Sequence, residues 1–318
     1  MWWSATPRWP STAPGSGVRP VPAAIVYGTP PYNLVDVPTG AVQVSPILPG
    51  STALESLPDA SQDEAVIAAP PGTAERDYAL AQALRVLKPG GRLTAFAPKD
   101  KGGSRLKKSL EAFGCEVFEE SRKHNRICTV ERPQTIVGLD AFVAKGAAEQ
   151  MGELWSQPGV FSWDRVDPGS ALLIANLPPL KGKGADFGAG IGILALTVLA
   201  SPDVKSLALV DVDRRAIEAA RKNVTDPRAT IVWEDVRQAG LADLDFVVMN
   251  PPFHDGGAED RALGVAFIET AAKALRKGGT CWLTANRHLP YERPLGAAFS
   301  KVELRAEAGG YKIYEARK

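Results

Sequence analysis

In the second half of the chain, short apolar runs alternate with segments whose apolar residues recur at helical spacing. The apolar runs predict buried strands, and they are SLALVDV (206–212), ATIVWED (229–235), LDFVVMN (244–250), TCWLTAN (280–286), KVELRA (301–306) and YKIYEAR (311–317). The segments RRAIEAARKNV and GVAFIETAAKAL predict helices between them. This alternation predicts an α/β fold with a mostly parallel sheet covered on both faces. Only Ala308-Gly309-Gly310 separates the last two strands, which predicts an antiparallel hairpin at the sheet edge.

The start of the chain has a different pattern, because 13 of the 26 prolines precede Thr73. Proline fixes φ and lacks a backbone donor, so this region is not expected to hold long helices or central strands. We interpret residues 1–20 as a flexible tail and the following segment as short strands joined by turns. A helical pattern then runs from Glu75 to Leu87, and the Lys88-Pro89-Gly90-Gly91 turn separates it from the strand RLTAFAP.

Two segments of the chain are similar to each other. Residues 247–290 and residues 66–103 both contain an apolar strand, Pro-Pro, an Ala/Leu-rich helix, a Lys- and Gly-rich turn and a second strand. The order of the elements is the same in both segments. This order predicts two tandem copies of one Rossmann-like α/β fold.

Composition limits the class of protein. At about 150 residues per domain, 318 residues predict two domains, and 45% hydrophobic with 23% charged residues is typical of a folded, soluble chain. A net charge of +1 argues against binding polyanions with the whole surface. No apolar run is long enough to span a membrane, and the three cysteines are too dispersed for a disulfide framework or a metal site. We expect a cytoplasmic monomer that binds neither metal nor membrane.

The glycine-rich segment after residue 185 predicts a ligand loop. Asp186 precedes Gly188, Gly190 and Gly192, and glycines at alternate positions let a strand turn into a helix while a ligand lies against bare backbone. The spacing is GxGxG, whereas the nicotinamide dinucleotide fingerprint needs GxGxxG. The loop therefore argues against a nicotinamide oxidoreductase.

Polar residues also end the next three predicted strands. Asp211 fits the hydroxyls of a ribose, Asp235 fits an adenine amino group, and Asn250 ends the last of the three. Asp213, two residues after Asp211, fits a helix cap as well. Since the carboxyl ends of parallel strands meet at one edge, we expect these side chains to converge on one crevice.

The segment Asn250-Pro251-Pro252-Phe253 indicates the reaction. The prolines hold the backbone extended, so that the Asn250 amide oxygen and the Pro251 carbonyl can accept both protons of a planar amine. Phe253 can stack on the ring that carries the amine. Such an amine needs no strong base, because positioning and stabilisation of the developing charge supply the rate.

From about Gly159 onward the chain resembles class I S-adenosylmethionine-dependent methyltransferases, and within them the bacterial 16S rRNA guanine-N2 methyltransferase family. The segments that carry the resemblance are PGVFSWDRVDPGSALLI (158–174), DFGAGIGILAL, LVDVDRRAIEAARKN, NPPFHDG (250–256) and ANRHLPYERPL (285–295), followed by GGYKIYEARK. Members carry two tandem methyltransferase-like domains, of which only the second binds the cofactor. The segment GADF departs from the family's bulkier aliphatics, so we expect that strand to be loosely packed.

The resemblance assigns roles to particular residues. It gives the methionine part of S-adenosylmethionine to Asp186, Gly188, Gly190 and Gly192, the ribose to Asp211, and the adenine to Asp235 and Val236. It gives the guanine to the residues from Asn250 to Phe253, with Phe161, Asp167 and Ser170 at the entrance. His254 follows directly and is a candidate substrate contact or a residue that orients the loop.

The first copy lacks these groups, since Ala69 stands in place of Asn250 and Gly72 in place of Phe253. We therefore expect a degenerate domain over residues 21–135, a linker over 136–158 and a catalytic domain over 159–318. The degenerate copy would grip ribosomal RNA through Lys99, Lys101 and Arg105, with further basic residues at positions 107, 108, 122, 123 and 126. Nearby glutamates dilute this cluster, so a solvated helix face is the alternative.

The sequence leaves two other functions open. One is a methyltransferase of another nitrogen, such as adenine N6 or a protein glutamine. The other is a non-catalytic RNA-binding or ribosome-assembly factor in which both copies are degenerate.

Overall fold

The computed structural model describes residues 23–252 and 258–318, and no side chain from 253 to 261 is included in that description. The first half forms a six-stranded sheet in the order β2-β1-β3-β4-β6-β5. Its strands are β1 (Ala24–Tyr27), β2 (Val42–Gln43), β3 (Gln62–Ala68), β4 (Leu87–Pro98), β5 (Phe118–Arg122) and β6 (Asn125–Glu131). Helices α1 (Thr73–Val86) and α2 (Ser104–Glu111) connect them, and α3 (Leu139–Gly146) follows.

The second half forms a seven-stranded sheet in the order β11-β10-β9-β12-β13-β15-β14, after a short hairpin of β7 (Glu149–Met151) and β8 (Leu154–Ser156). Its strands are β9 (Gly182–Phe187), β10 (Val204–Asp211), β11 (Ala229–Trp233), β12 (Leu244–Met249), β13 (Leu275–Asn286), β14 (Lys301–Ala308) and β15 (Tyr311–Arg317). Its helices are α4 (Pro168–Asn176), α5 (Ile193–Leu199), α6 (Arg214–Asn223), α7 (Ala258–Ala274) and α8 (Glu292–Ala298). The predicted fold class is confirmed, including the antiparallel hairpin of β14 and β15.

The two sheets repeat one topology. The order β2-β1-β3-β4-β6-β5 corresponds strand by strand to β10-β9-β12-β13-β15-β14, and the second sheet adds β11 at its edge. Both copies share a bulge: the pairing of β4 with β3 skips residues 88–91, and the pairing of β13 with β12 skips residues 276–279. The Lys- and Gly-rich turns of the sequence thus lie within the strands as bulges instead of preceding them.

The segment between the two sheets is ordered and is shared between them. Phe142 and Val143 of α3 pack against the first core, and the Phe142 ring centroid lies 4.5 Å from that of Phe113. Further along, the backbone N–H of Trp155 in β8 donates to Asn223 Oδ1 of α6 at 2.7 Å. One part of the predicted linker therefore packs on the first half and another part on the second. The domain bounds stay a prediction.

Strand β9 is tightly packed, so the expectation of loose packing for GADF was wrong. Gly184 lies directly opposite Phe246 of β12, and a Cβ added at Gly184 would overlap the Phe246 ring. Phe246 is 1% exposed and belongs to the core cluster on that face of the sheet. The aromatic ring of the neighbouring strand therefore fills the space that a larger side chain at residue 184 would take.

Gly184→Ala should lower the free energy of unfolding by about 1–3 kcal/mol, because the new methyl group overpacks the core against Phe246. Gly296→Ala is the control, since residue 296 is exposed in α8 and a Cβ there meets nothing within 4 Å. Thermal and urea unfolding measure both variants. Equal stability of Gly184→Ala and the parent chain would contradict this account of β9, and adding Phe246→Leu should restore part of the loss.

Candidate functional site

The glycine loop leaves β9 in a left-handed conformation. Gly188, Gly190 and Gly192 have φ values of 71°, 54° and 93°, which side chains with a Cβ rarely adopt. A Cβ at Gly190 would meet nothing within 4 Å, and this residue lines a cavity. A Cβ at Gly192 would lie 2.6 Å from the Val224 side chain, so this glycine serves helix packing.

The cavity lies at the carboxyl edge of the second sheet and has a volume of about 250 Å³. Its walls come from the ends of four neighbouring strands and from α7. The lining residues are Phe161, Gly188, Gly190, Asp211, Val212, Asp235, Val236, Arg237, Asn250, Pro251, Pro252, Leu263 and Phe267. Most residues predicted for the cofactor and the amine are therefore brought together, as expected for the strand ends of a parallel sheet.

Asp211 ties the glycine loop to β10. Its Oδ2 accepts the N–H of Gly190 at 2.8 Å, and its Oδ1 accepts the N–H of Asp213 at 2.8 Å. Burial raises the pKa of Asp211 to about 6, although these backbone hydrogen bonds act to lower it. The carboxylate is thus fixed at the cavity wall by the loop that it holds.

Asp186, near the end of β9, is not among the residues that line the cavity. It is fully buried, and neither carboxylate oxygen has a hydrogen bond of regular geometry among the described groups, although the Ala195 N–H is near enough to act on its pKa. Burial, together with the nearby charge of Asp211, raises the pKa of Asp186 to about 8. A positive charge bound in the cavity would favour the ionised form of this carboxyl group.

Asp235 is paired with a residue that the sequence analysis missed. Arg237 Nε lies 2.9 Å from Asp235 Oδ1 and 3.0 Å from Oδ2, and the Asp235 side chain also accepts the Arg237 N–H. This guanidinium holds the pKa of Asp235 below its usual value. The short Asp-Val-Arg spacing is the sequence signal that could have revealed the pair, because a turn brings residues i and i+2 together.

Two hydrogen bonds to its nitrogen hold the Asn250 amide in one orientation. Its Nδ2 donates to Asp167 Oδ2 and to Ser170 Oγ, each at 2.9 Å. Both partners are 8% exposed, and Asp167 also caps α4 by accepting the Ser170 N–H at 2.8 Å. The amide oxygen therefore keeps its accepting capacity. Asp167 and Ser170 thus support the amide and do not line the cavity, while their expected place at the entrance stays a prediction.

Other predicted residues lie elsewhere or outside the described residues. Phe253 and His254 belong to the segment that the structure does not describe. Lys99, Lys101 and Arg105 are exposed in the first half, beyond the carboxyl end of β4, and do not line the cavity. Leu263 and Phe267, which the sequence analysis did not assign to the site, complete the wall on α7.

The corresponding edge of the first sheet is filled by an arginine. Arg76 is 1% exposed, and its guanidinium donates to the Pro71 carbonyl at 3.0 Å. A Cβ at Gly102 would lie 2.8 Å from the same guanidinium. With Ala69 in place of an asparagine, this edge has no side-chain acceptor for an amine at that position.

The raised pKa of Asp186 should make the stability of the chain depend on pH. Its pKa in the folded state is about 8 and its ordinary value is 3.8, so the folded chain keeps a proton that the unfolded chain loses. The protonated Asp186 adds fully to the free energy of unfolding below about pH 4. This added stability is lost as the pH rises towards about 8. Both proteins are measured without ligand. The melting temperature of Asp186→Asn minus that of the parent chain should therefore increase from about pH 5 to about pH 9.

Asp245→Asn is the control for this measurement. The backbone N–H of Lys183 donates to Asp245 and holds its pKa below the ordinary value, so Asp245 stays ionised throughout that range. The difference between this variant and the parent chain should not change with pH. A constant difference for Asp186→Asn as well would contradict the raised pKa.

A family model matches the second half of the chain, and known relatives match most of its length. The family model described as "Methyltransferase small domain" matches residues 151–315. A ribosomal RNA small subunit methyltransferase C of Shewanella sediminis is 31% identical over 274 residues, covering 81% of this chain and 78% of the relative. That of Pseudomonas entomophila is 31% identical over 268 residues, covering 82% and 80%.

A solved structure is similar over most of the chain. It is that of a T. thermophilus 16S rRNA N2 methyltransferase in complex with AdoMet and guanosine, with a TM-score of 0.70 and 28% identity, covering 83% of this chain and 75% of the other. Sequence and fold thus agree across both halves of the protein. The chain belongs to the ribosomal RNA small subunit methyltransferase C family.

Proposed function

We propose that the protein transfers a methyl group from S-adenosylmethionine to the exocyclic N2 of a guanine in 16S ribosomal RNA. The observation that carries the proposal is the fixed Asn250 amide, whose nitrogen is bound to Asp167 and Ser170 at a wall of the cavity. An acceptor oriented in this way fits an amine with two N–H groups to donate. As the N–C bond forms, the C–S bond of the donor breaks, and the methylated nitrogen then releases one proton to solvent. The relatives' names and the ligands of the T. thermophilus structure support the substrate and the cofactor.

The residues of the cavity fit S-adenosylmethionine. Gly190 leaves open space where a side chain would project, Asp211 presents a fixed carboxylate, and Asp186 is a buried carboxyl group without a hydrogen bond of regular geometry among the described groups. We assign the methionine part to Gly188 and Gly190, which line the cavity, and to Asp186, which is buried next to the loop, whereas Gly192 shapes the loop by packing on Val224. We assign the ribose to Asp211 and the adenine to Asp235 and Val236. When bound, the cofactor supplies a methyl group on a positively charged sulfur.

The remaining chemistry belongs to residues of this chain. Asn250 Oδ1 and the Pro251 carbonyl accept the two amine protons, which holds the nitrogen lone pair towards the methyl donor. As the amine gains positive charge, these two acceptors stabilise it without having to reorient. A guanine inside a helix must be flipped out to reach this site. Phe161, which is 57% exposed at the cavity wall, is a proposed contact for it, with Phe253 and His254 as further candidates.

The first half offers a basic surface for RNA. Among the described residues, the charged nitrogens of Lys99, Lys101 and Arg105 form no ion pair with a carboxylate oxygen. Three of the four glutamates nearby are instead paired with other basic residues, Glu111 with Lys107, Glu119 with Arg126 and Glu120 with Arg122, while Glu116 forms no ion pair among the described residues. The glutamates that dilute the cluster in the sequence thus leave these three cations available. We propose that they contact RNA phosphates, in the compartment that holds the ribosome, the cytoplasm.

Methyl transfer from labelled S-adenosylmethionine to unmodified small subunits or 16S rRNA tests the function. The parent chain should produce N2-methylguanosine on nucleoside analysis. Asn250→Ala should lower kcat by about 10²- to 10³-fold, because it removes an acceptor for the developing charge, while cofactor affinity stays nearly unchanged. Ser170→Ala is a matched partial variant, since it removes one of the two hydrogen bonds that orient the amide, and should lose less.

Two outcomes would contradict these assignments. Label found only in N6-methyladenosine or in protein glutamine would exclude guanine as the substrate. Loss of both turnover and cofactor affinity in Asn250→Ala would show that this residue does not act as the amine acceptor.

Replacing Lys99, Lys101 and Arg105 together by Ala should raise KM for RNA. The slope of log affinity against log salt concentration should fall by about 0.7–0.9 for each phosphate that the variant no longer binds. Lys107→Ala with Arg126→Ala is the comparison, because these two cations, which the sequence placed in the same cluster, are paired with Glu111 and Glu119, so their removal should change the salt slope less. Cofactor affinity should stay constant in both variants, and an unchanged salt slope in the triple variant would exclude this surface.

A further inference from the structure

Strand register identifies which part of the first copy corresponds to the cofactor side of the second. Tyr27 pairs with the residue two positions before Ala69, and Asp186 pairs with the residue two positions before Asn250. Tyr27 therefore occupies the position of Asp186. The carboxyl edge of the first sheet around Tyr27 corresponds to the edge that carries the glycine loop in the second.

This edge of the first copy is occupied by the second copy. The first two residues of α6, Arg214 and Arg215, enter it, and the Arg214 N–H donates to the Pro46 carbonyl at 2.8 Å. A residual cavity of only about 10 Å³ remains between the two halves. Its lining includes Tyr27, Glu55 and Glu75 of the first half and Arg214 and Arg215 of the second.

Arg215 joins three segments of the chain at this place. Its Nη1 lies 2.7 Å from Glu75 Oε1 of α1, and its Nη2 lies 2.8 Å from Asp213 Oδ2 and 3.4 Å from the Gly159 carbonyl. Arg215, Asp213 and Glu75 are 5%, 14% and 16% exposed. The Arg215 guanidinium is thus largely withdrawn from water and is balanced by carboxylates of both halves.

The same contacts continue to the cofactor cavity. Asp213 accepts the Arg215 N–H at 2.9 Å, as expected of a helix cap, and its own N–H donates to Asp211 Oδ1. Asp211 in turn holds the N–H of Gly190. A continuous path of hydrogen bonds therefore connects Glu75 of the first half with the glycine loop of the second.

We propose that Glu75 is a positioning residue for cofactor binding, acting through Arg215 and Asp213 on the Asp211 carboxylate. The edge of the first copy around Tyr27, which corresponds to the cofactor side of the second copy, binds the start of α6 and so holds the end of β10 that carries Asp211. This inference rests on the proposed use of S-adenosylmethionine and adds a role for the half that lacks the glycine loop. Without Glu75, Arg215 keeps Asp213 as its partner but loses its anchor in the first half, so Asp211 is less firmly placed.

The structure offers a matched control beside Glu75. Glu55 also belongs to the first half, and its Oε2 lies 2.8 Å from Arg214 Nη2. The other end of Arg214 contacts Glu218, 2.8 Å away on the outer face of α6, and not Asp213. The two glutamates thus hold the same interface, but only Glu75 is connected to the cavity.

The test is a calorimetric titration of Glu75→Gln and Glu55→Gln with S-adenosylmethionine, alongside their melting temperatures. Glu75→Gln should raise Kd by about 5-fold or more, within the range typical of coupling between two sites. Glu55→Gln should leave Kd unchanged even where it lowers the melting temperature by a similar amount. At saturating cofactor, Glu75→Gln should keep most of kcat, since it affects KM for the cofactor.

Glu75→Asp keeps the charge but shortens the side chain, and its Kd should lie between those of the parent chain and Glu75→Gln. Glu75→Asp replaces Glu75→Gln in the test if Glu75→Gln does not fold. Equal Kd values for the parent chain and the Glu75 variants, or equal increases for the Glu75 and Glu55 variants, would overturn the proposal. Because the titration measures cofactor affinity, a parent chain that binds the cofactor but methylates no guanine would contradict the proposed function alone.

Discussion

The buried guanidinium of Arg215 is the interaction on which the arrangement of the two halves depends. Removing one partner of a buried ion pair costs about 3–5 kcal/mol, because the remaining charge stays without water, whereas the intact pair adds little net stability. Its value therefore lies in geometry: Arg215 satisfies its donors only when Glu75 and Asp213 lie at the distances observed. The start of α6 is thus fixed against the first half, and with it the end of β10 that carries Asp211.

Duplication explains how such a contact could arise. Both copies expose a carboxyl edge at which strand ends and helix starts leave a concave surface. In the second copy this surface keeps glycines and acidic residues, whereas in the first Tyr27 stands at the position of Asp186 and Ala69 at that of Asn250. Once a concave edge no longer binds a ligand, side chains of other elements can occupy it. Arg76 fills one part and the arginines of α6 fill another, so the fold is retained while the binding site is not.

Local patterns allowed much of the fold to be predicted, and the rule that parallel strand ends meet at one edge brought Asp211 and Asn250 together before any contact was known. Contacts across long separations were not accessible in this way. Asp167 and Asn250 are 83 residues apart, and nothing in the composition of either segment indicates its partner. Packing was hidden for a different reason: whether Gly184 leaves a gap depends on the rotamer of Phe246, which no pattern within β9 contains. Such side-chain directions become fixed only once the sheet has formed.

The Asn250 amide shows how such hidden contacts determine chemistry. An asparagine side chain can present either its donor or its acceptor to a ligand, and rotation by half a turn exchanges them. Because Asp167 and Ser170 both accept from Nδ2, the opposite orientation would place the amide oxygen against the Asp167 carboxylate and leave a buried acceptor unsatisfied. A site that offers only acceptors rejects a carbonyl oxygen and favours a group with two protons to donate. In the proposed function, Asp167 and Ser170 thus select an amine over a carbonyl at the same edge of a base by fixing the Asn250 amide.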